Sequence, residues 1–132
     1  MKKLDLTSLK KALTSLQKAI ERYGREPGDE EVRDSVIQRF EYSYELCWKM
    51  LSKELQQRTP SPSQTPSLDF KSLMREGSRF GLIDDPEVWF EYRRMRNITS
   101  HTYDEATAEK VAGSAKSFLK DAKSLLEALE KG

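Results

Sequence analysis

Residues 105–130 read EATAEKVAGSAKSFLKDAKSLLEALE, and this stretch decides the fold class. Val111, Ala115, Phe118, Ala122, Leu125 and Leu129 recur at alternating spacings of four and three, which puts them on one stripe of an α-helix. Lys, Asp, Glu and Ser fill most of the remaining positions. A helix this long with one apolar stripe is stable in water only if other helices cover the stripe.

Working outward, the chain supplies them. The spacing predicts a helix over about Pro86–Ser100, started by Asp84 or Asp85 with Pro86 and burying Val88, Trp89, Tyr92, Met95 and Ile98. Before it, a short helix over Asp69–Phe80 turns Phe70, Leu73 and Met74 inward. Ser67 or Asp69 caps it and Gly81 ends it, and Gly77 and Gly81 read as helix punctuation. Arg58–Ser67 holds Pro60, Pro62 and Pro66 among Ser, Thr and Gln, a composition that reads as a mobile loop. A long helix is expected over Asp29–Gln57, with Val32, Val36, Phe40, Tyr44, Cys47, Leu51 and Leu55 buried and Ile37 and Trp48 beside them. Along it Glu41, Glu45 and Lys49 are spaced by fours, and Glu45 with Lys49 is an ordinary surface pair. The first helix, about Leu6–Tyr23, carries Leu9, Leu13, Leu16 and Ile20; Asp5 or Thr7 caps its start and Gly24 closes it. No alternating strand pattern and no internal repeat interrupts this series. The expectation is one domain over residues 1–132: an all-α up-and-down bundle of four main helices with a short additional one.

Composition narrows the function. With 36% hydrophobic and 34% charged residues, the chain reads as a helical protein with a heavily solvated outer face. A formal net charge of +1 leaves no broad basic surface of the kind a general nucleic-acid binder carries, though a local basic groove is compatible with it. The one cysteine, Cys47, has no intrachain disulfide partner and sits among apolar helix positions, so it reads as reduced core. No apolar run approaches the roughly 18 residues of a membrane span, and Leu4–Leu16 is broken by Asp5, Lys10 and Lys11, unlike a signal sequence. No membrane contact is expected, and the cytoplasm is the default.

Between the last two helices lies Arg96-Asn97-Ile98-Thr99-Ser100-His101-Thr102-Tyr103, an octet that packing does not require. It holds the only histidine in the chain, five residues after an arginine and two before a tyrosine. Histidine suits proton transfer near neutral pH, and arginine offers a charged fork that matches phosphate oxygens. Together they are a minimum kit for phosphodiester chemistry without metal. A plainer reading has Arg96 and His101 satisfying helix-end carbonyls. One His and one distant Cys argue against zinc, there is no glycine-rich phosphate loop, and adjacent Ser100 and His101 point apart on a helix. No metal and no cofactor are therefore expected.

The octet's Arg, four residues, His, one residue, Tyr resembles the signature of the HEPN superfamily, in its HepT-like branch of minimal-nucleotidyltransferase partners. Gln38–Lys49 (QRFEYSYELCWK) resembles the long second helix of that branch. So do Arg75-Glu76-Gly77, Gly81-Leu82-Ile83-Asp84-Asp85 and Trp89, and the likeness runs from about Leu4 to Leu129. The resemblance implies a HepT-like toxin of a toxin–antitoxin pair: a metal-independent endoribonuclease with Arg96 and His101 catalytic. It further implies a homodimer with a shared active cleft, and a small cognate nucleotidyltransferase as antitoxin that transfers AMP from ATP to Tyr103. Arg39 and Glu45 become candidate supports of the groove.

Chemistry and geometry bear on this independently. Cleaving RNA through its 2′-hydroxyl takes a base for that hydroxyl and an acid for the leaving 5′-oxygen. One histidine serves one role at a time, so two chains sharing a groove answer the need; water or another residue is the alternative. On a regular helix, at about 100° per residue, Arg96 and Tyr103 share one face and Asn97 and His101 another. Arg96 and His101 thus meet on one phosphate only if the helix ends or loosens around Ser100–Thr102, with Asp104 or a Thr102/Glu105 pair capping the next helix. Arg93, one turn earlier, joins the side of Arg96, so Arg93 and Asn97 are supporting candidates. Trp48, Trp89, Tyr42, Tyr44 and Tyr92 exceed single stripes, which points to a dimer surface. Two further readings remain: a non-catalytic subunit that presents substrate or nucleotide to a nucleotidyltransferase, and a helical oligomerisation module.

Overall fold

A computed structural model describes residues 3–58 and 69–132. Its helices are α1 (Thr7–Arg25), α2 (Glu30–Arg58), α3 (Phe70–Arg79), α4 (Pro86–Asn97) and α5 (Glu105–Lys131), with a 3₁₀ turn at Thr99–His101 between the last two. Among the described residues there are no strands. The expected proline-rich loop lies mostly at 59–68, outside the described residues.

Local signals account for most boundaries. Asp29 Oδ1 accepts from the amides of Glu31 and Val32 at 2.9 and 3.2 Å and starts α2. Asp69, Asp85 and Asp104 do the same for α3, α4 and α5, accepting from Ser72, Glu87 and Thr107. Gly81 stops α3 with φ of 75°: its amide donates to the Ser78 carbonyl at 3.0 Å and that of Leu82 to Gly77 at 2.8 Å. Gly77 is not punctuation. It lies inside α3, where a Cβ would stand 3.1 Å from a Leu51 methyl, so its missing side chain lets α3 approach α2 closely. Gly24 likewise does not close α1, which continues through it to Arg25.

Side-chain pairs set the directions. Lys10–Glu130 (3.1 Å) and Lys123–Gln17 connect α1 and α5 running antiparallel. Arg33 reaches Glu105 at 3.4 Å while Glu54 lies against Gly132, so α2 and α5 run parallel. Tyr92 pairs with Asp121, and Asp85 lines a groove with Ala128, so α4 runs against α5. The bundle α1–α2–α4–α5 is therefore up-down-up-down, as expected, with α3 the short extra helix.

Every stripe residue assigned to α2 and α5 is buried. Phe118 is fully enclosed and receives three rings edge-on: Phe40 at 5.0 Å, Tyr92 at 5.2 Å and Trp89 at 5.9 Å between centroids. Of the five aromatics that exceed single stripes, Tyr44, Trp89 and Tyr92 are each only 3% exposed and belong to this chain's own core, while Trp48 is half-buried and Tyr42 is 38% exposed. Cys47 is wholly buried, and burial pushes its thiol pKa upward, consistent with an inert core residue.

Candidate functional site

The octet spans the end of α4, the 3₁₀ turn and the approach to α5. Helix α4 stops at Asn97, three residues earlier than its apolar spacing suggested. Two hydroxyls hold the departure: Thr99 Oγ1 donates to the Arg96 carbonyl at 2.8 Å, and Thr102 Oγ1 to that of Thr99 at 3.1 Å. The His101 amide bonds the Ile98 carbonyl and that of Asp104 the His101 carbonyl, closing two tight turns in succession. Asp104 then caps α5 through both the amide and the hydroxyl of Thr107. The alternative Thr102/Glu105 box does not form, because Thr102 bonds backward and Glu105 pairs with Arg33.

The regular-helix projection therefore fails beyond Asn97. Tyr103 does not share the face of Arg96; it stands beside His101. His101 Nδ1 lies 3.4 Å from the Tyr103 hydroxyl, with the rings edge-to-face at 5.9 Å. Both side chains are exposed, Tyr103 at 84%, and neither is needed by the core. If the phenol donates this bond, the imidazole proton sits on Nε2, and the Nδ1 edge is held by the tyrosine.

Arg96 reaches across to α2. Its Nε donates to Glu45 Oε1 at 3.2 Å, and an Nη lies 3.9 Å from Glu41. The second oxygen of Glu45 accepts from the Trp48 indole at 3.1 Å. Glu45 thus holds Arg96 and the Trp48 indole, rather than forming the surface pair expected with Lys49, which stands over the Trp48 ring instead. Arg39 does not join them. Six residues before Glu45 it lies on another face of α2, bonding Ser15 of α1 and the Ser35 carbonyl.

The remaining arginines of α4 divide. Arg94 is tied to Glu91 at 2.9 Å on the outer surface. Arg93 lies 4.8 Å over the Phe70 ring of α3. Burial raises the pKa of the Tyr44 hydroxyl, and the charges of Arg93 and Arg96 oppose that rise, so both guanidiniums lie near one phenol. Asn97 is exposed at the helix end. The sequence reading missed three buried polar side chains, Arg33, Ser43 and Glu54; only an Arg or Glu at an otherwise apolar helix position hints at such residues. Among the described residues, no three His, Cys, Asp or Glu side chains come together to hold a metal ion.

This arrangement sits on a fold with relatives. The family model of nucleotidyltransferase substrate binding protein-like chains matches residues 4–131. The chain belongs to that family. Within it, a Haemophilus influenzae protein described as a probable ribonuclease HepT is 46% identical over 94 residues. That match takes in 71% of this chain and 64% of the relative, so less than two thirds of the relative's length is spanned. A solved Haemophilus influenzae structure, described as the fold of a substrate binding domain of a nucleotidyltransferase, superimposes with a TM-score of 0.90 at 36% identity, covering 96% of this chain and 99% of that one. A Thermus thermophilus structure superimposes with a TM-score of 0.75 at 25% identity, covering 92% and 98%. Among the described residues, no helix is long and apolar enough to cross a membrane.

Proposed function

We propose that this chain is a HepT-like toxin, an endoribonuclease that cuts RNA without a metal and is silenced by AMP transfer to Tyr103. The observation that carries the reading is the exposed His101–Tyr103 pair, set beside the end of α4 by a 3₁₀ turn that no packing demand explains. In the reaction, His101 takes the proton of a ribose 2′-hydroxyl, and that oxygen attacks the adjacent phosphorus. The bond from phosphorus to the 5′-oxygen breaks, leaving a 2′,3′-cyclic phosphate, and the departing oxygen takes a proton from a second donor. Arg96 serves the phosphate by exchanging Glu45 for phosphate oxygens. A homodimer supplies the second donor as the partner chain's histidine. Asn97 and Arg93 line the approach, and the single helical domain spans residues 1–132 in the cytoplasm.

The partner in this reading is a small nucleotidyltransferase, in keeping with the family's description. Its transfer joins the Tyr103 oxygen to the α-phosphorus of ATP and releases pyrophosphate. The phenol proton is lost, so the modified residue no longer donates to His101 and instead places a phosphodiester and a nucleotide against it. Silencing thus acts on the histidine first, rather than only on the arginine.

Tyr103→Phe is expected to keep cleaving RNA while escaping the partner. With nucleotidyltransferase and ATP present, intact mass spectrometry should show AMP added to the unsubstituted chain and none to the variant. Equal mass gain in both places the modification elsewhere. The reading as a whole is tested by cleavage of single-stranded RNA in excess chelator, which should proceed; an inert chain at micromolar concentration overturns it.

One observation favours a second reading. The Arg96 charge is already met by Glu45 and Glu41. A non-catalytic subunit presenting nucleotide to a nucleotidyltransferase tolerates that pairing, whereas a nuclease must break it in every turnover. Such a subunit copurifies with the nucleotidyltransferase and leaves RNA intact.

A further inference from the structure

Three cations on the α3–α4 face differ from the surface arginines Arg22, Arg79 and Arg94. Arg22, Arg79 and Arg94 each bond a carboxylate on or beside their own helix within 3.1 Å. Lys71, Arg75 and Arg93 have no such pair among the described residues. Each is exposed and stands over an aromatic ring instead. Lys71 Nζ is 5.6 Å and the Arg75 guanidinium 5.7 Å from the Phe90 ring centre, and Arg93 is 4.8 Å from that of Phe70. The two rings pack on one another at 6.4 Å.

The difference matters chemically. A carboxylate neutralises a guanidinium and occupies its donors. A ring face fixes the cation's position by its quadrupole, yet leaves the full charge and the edge N–H groups available. One opposing charge that senses the patch is Asp69, whose carboxylate is engaged in capping α3 and is held below its usual pKa by bonds from Ser72, with smaller contributions from Arg75 and Arg93. The patch also adjoins the candidate site along α4, where Arg93 lies one turn before Arg96. In a chain whose formal net charge is only +1, three unneutralised cations in one place are a local feature suited to a polyanion.

We propose that Lys71, Arg75 and Arg93, carried on the rings of Phe70 and Phe90, bind the phosphates of single-stranded RNA flanking the bond at His101. The choice of RNA as occupant rests on the ribonuclease reading; the patch itself rests on the cation geometry. It would guide a strand along α3 to the groove rather than choose a sequence, since phosphate contacts position and carry no base information.

The test uses the full chain carrying His101→Ala, so that RNA stays intact, and measures binding of a labelled single-stranded oligoribonucleotide across a salt series. Adding Lys71→Gln with Arg75→Gln is expected to weaken binding by about tenfold at low salt and to make the slope of log K against log salt shallower by roughly 1.4. Lys116→Gln with Lys120→Gln, which removes the same charge from the outer face of α5, should leave both quantities unchanged. Equal losses in the two double variants reduce the effect to net charge and overturn the proposal. So does unchanged RNA binding in the Lys71/Arg75 variant, or no RNA binding before it is introduced. Loss of nucleotidyltransferase capture with RNA binding retained assigns the patch to a protein partner and overturns it as well. Binding that depends on the patch, in a chain that with His101 intact still never cuts RNA, keeps the proposal and ends the ribonuclease reading.

Discussion

His101→Ala is expected to lower RNA cleavage by about a hundredfold or more, the usual cost of losing a positioned acid–base group. The structure makes this loss separable from misfolding. His101 is exposed in a 3₁₀ turn, and its side chain meets Tyr103 rather than the core, so stability should change by less than about 0.5 kcal/mol. Arg96→Ala should abolish cleavage too, but with a different signature. Removing its charge leaves Glu41 and Glu45 without their cation in a partly exposed site, at a cost of about 0–1 kcal/mol in stability. Arg96→Lys sharpens the comparison, because lysine restores the charge without the two-pronged fork that grips phosphate. Initial rates on single-stranded RNA, with urea titrations alongside, give the readout. Cleavage that persists in His101→Ala shifts the case to the subunit that binds without cutting.

The second large effect concerns the bundle. Phe118→Ala is expected to destabilise the chain by about 3–5 kcal/mol, a large part of the total stability of a domain this size. Phe118 is the common neighbour of Phe40, Trp89 and Tyr92, and the cluster joins three helices, so its removal opens a cavity that no single helix can collapse into. Equilibrium urea unfolding followed by circular dichroism measures it. A shift below about 1 kcal/mol would show that the rings repack without their centre. Tyr103→Phe is the natural reference, since an exposed side chain in a turn should move stability by no more than about 0.5 kcal/mol.

These two residues mark what could and could not be read from the chain alone. Phe118 was legible because burial on a helix leaves a period, and α5 keeps its period without exception. The starts of α2, α3, α4 and α5 were legible because an aspartate at an N-cap acts on amides two or three residues away. The end of α4 was not. Neither Asn97 nor Ile98 is a strong stop signal, and the departure from the helix is held by hydroxyls of Thr99 and Thr102 bonding backward, a choice that composition does not announce. The regular-helix projection puts Tyr103 on the face of Arg96, and the 3₁₀ turn brings it beside His101 instead, while the loosening before an Asp104 cap agrees with the expected break. Pairings between helices were equally hidden. Glu45 looked committed to Lys49 one turn on, and only the approach of α4 brings it Arg96 instead. The octet's residue types single out the stretch, while the partners of its side chains come from tertiary contacts.

The division of the Glu45 carboxylate between Arg96 and Trp48 gives the chain an optical readout of the arginine's pairing. One oxygen holds the arginine and the other the indole N–H, so whatever draws the guanidinium away also alters the polarity that the excited indole senses. The only other tryptophan, Trp89, is sealed in the ring cluster at 3% exposure and serves as a constant emitter against which the first can be compared. A change in the partner of Arg96 can accordingly be followed in unlabelled protein, by light.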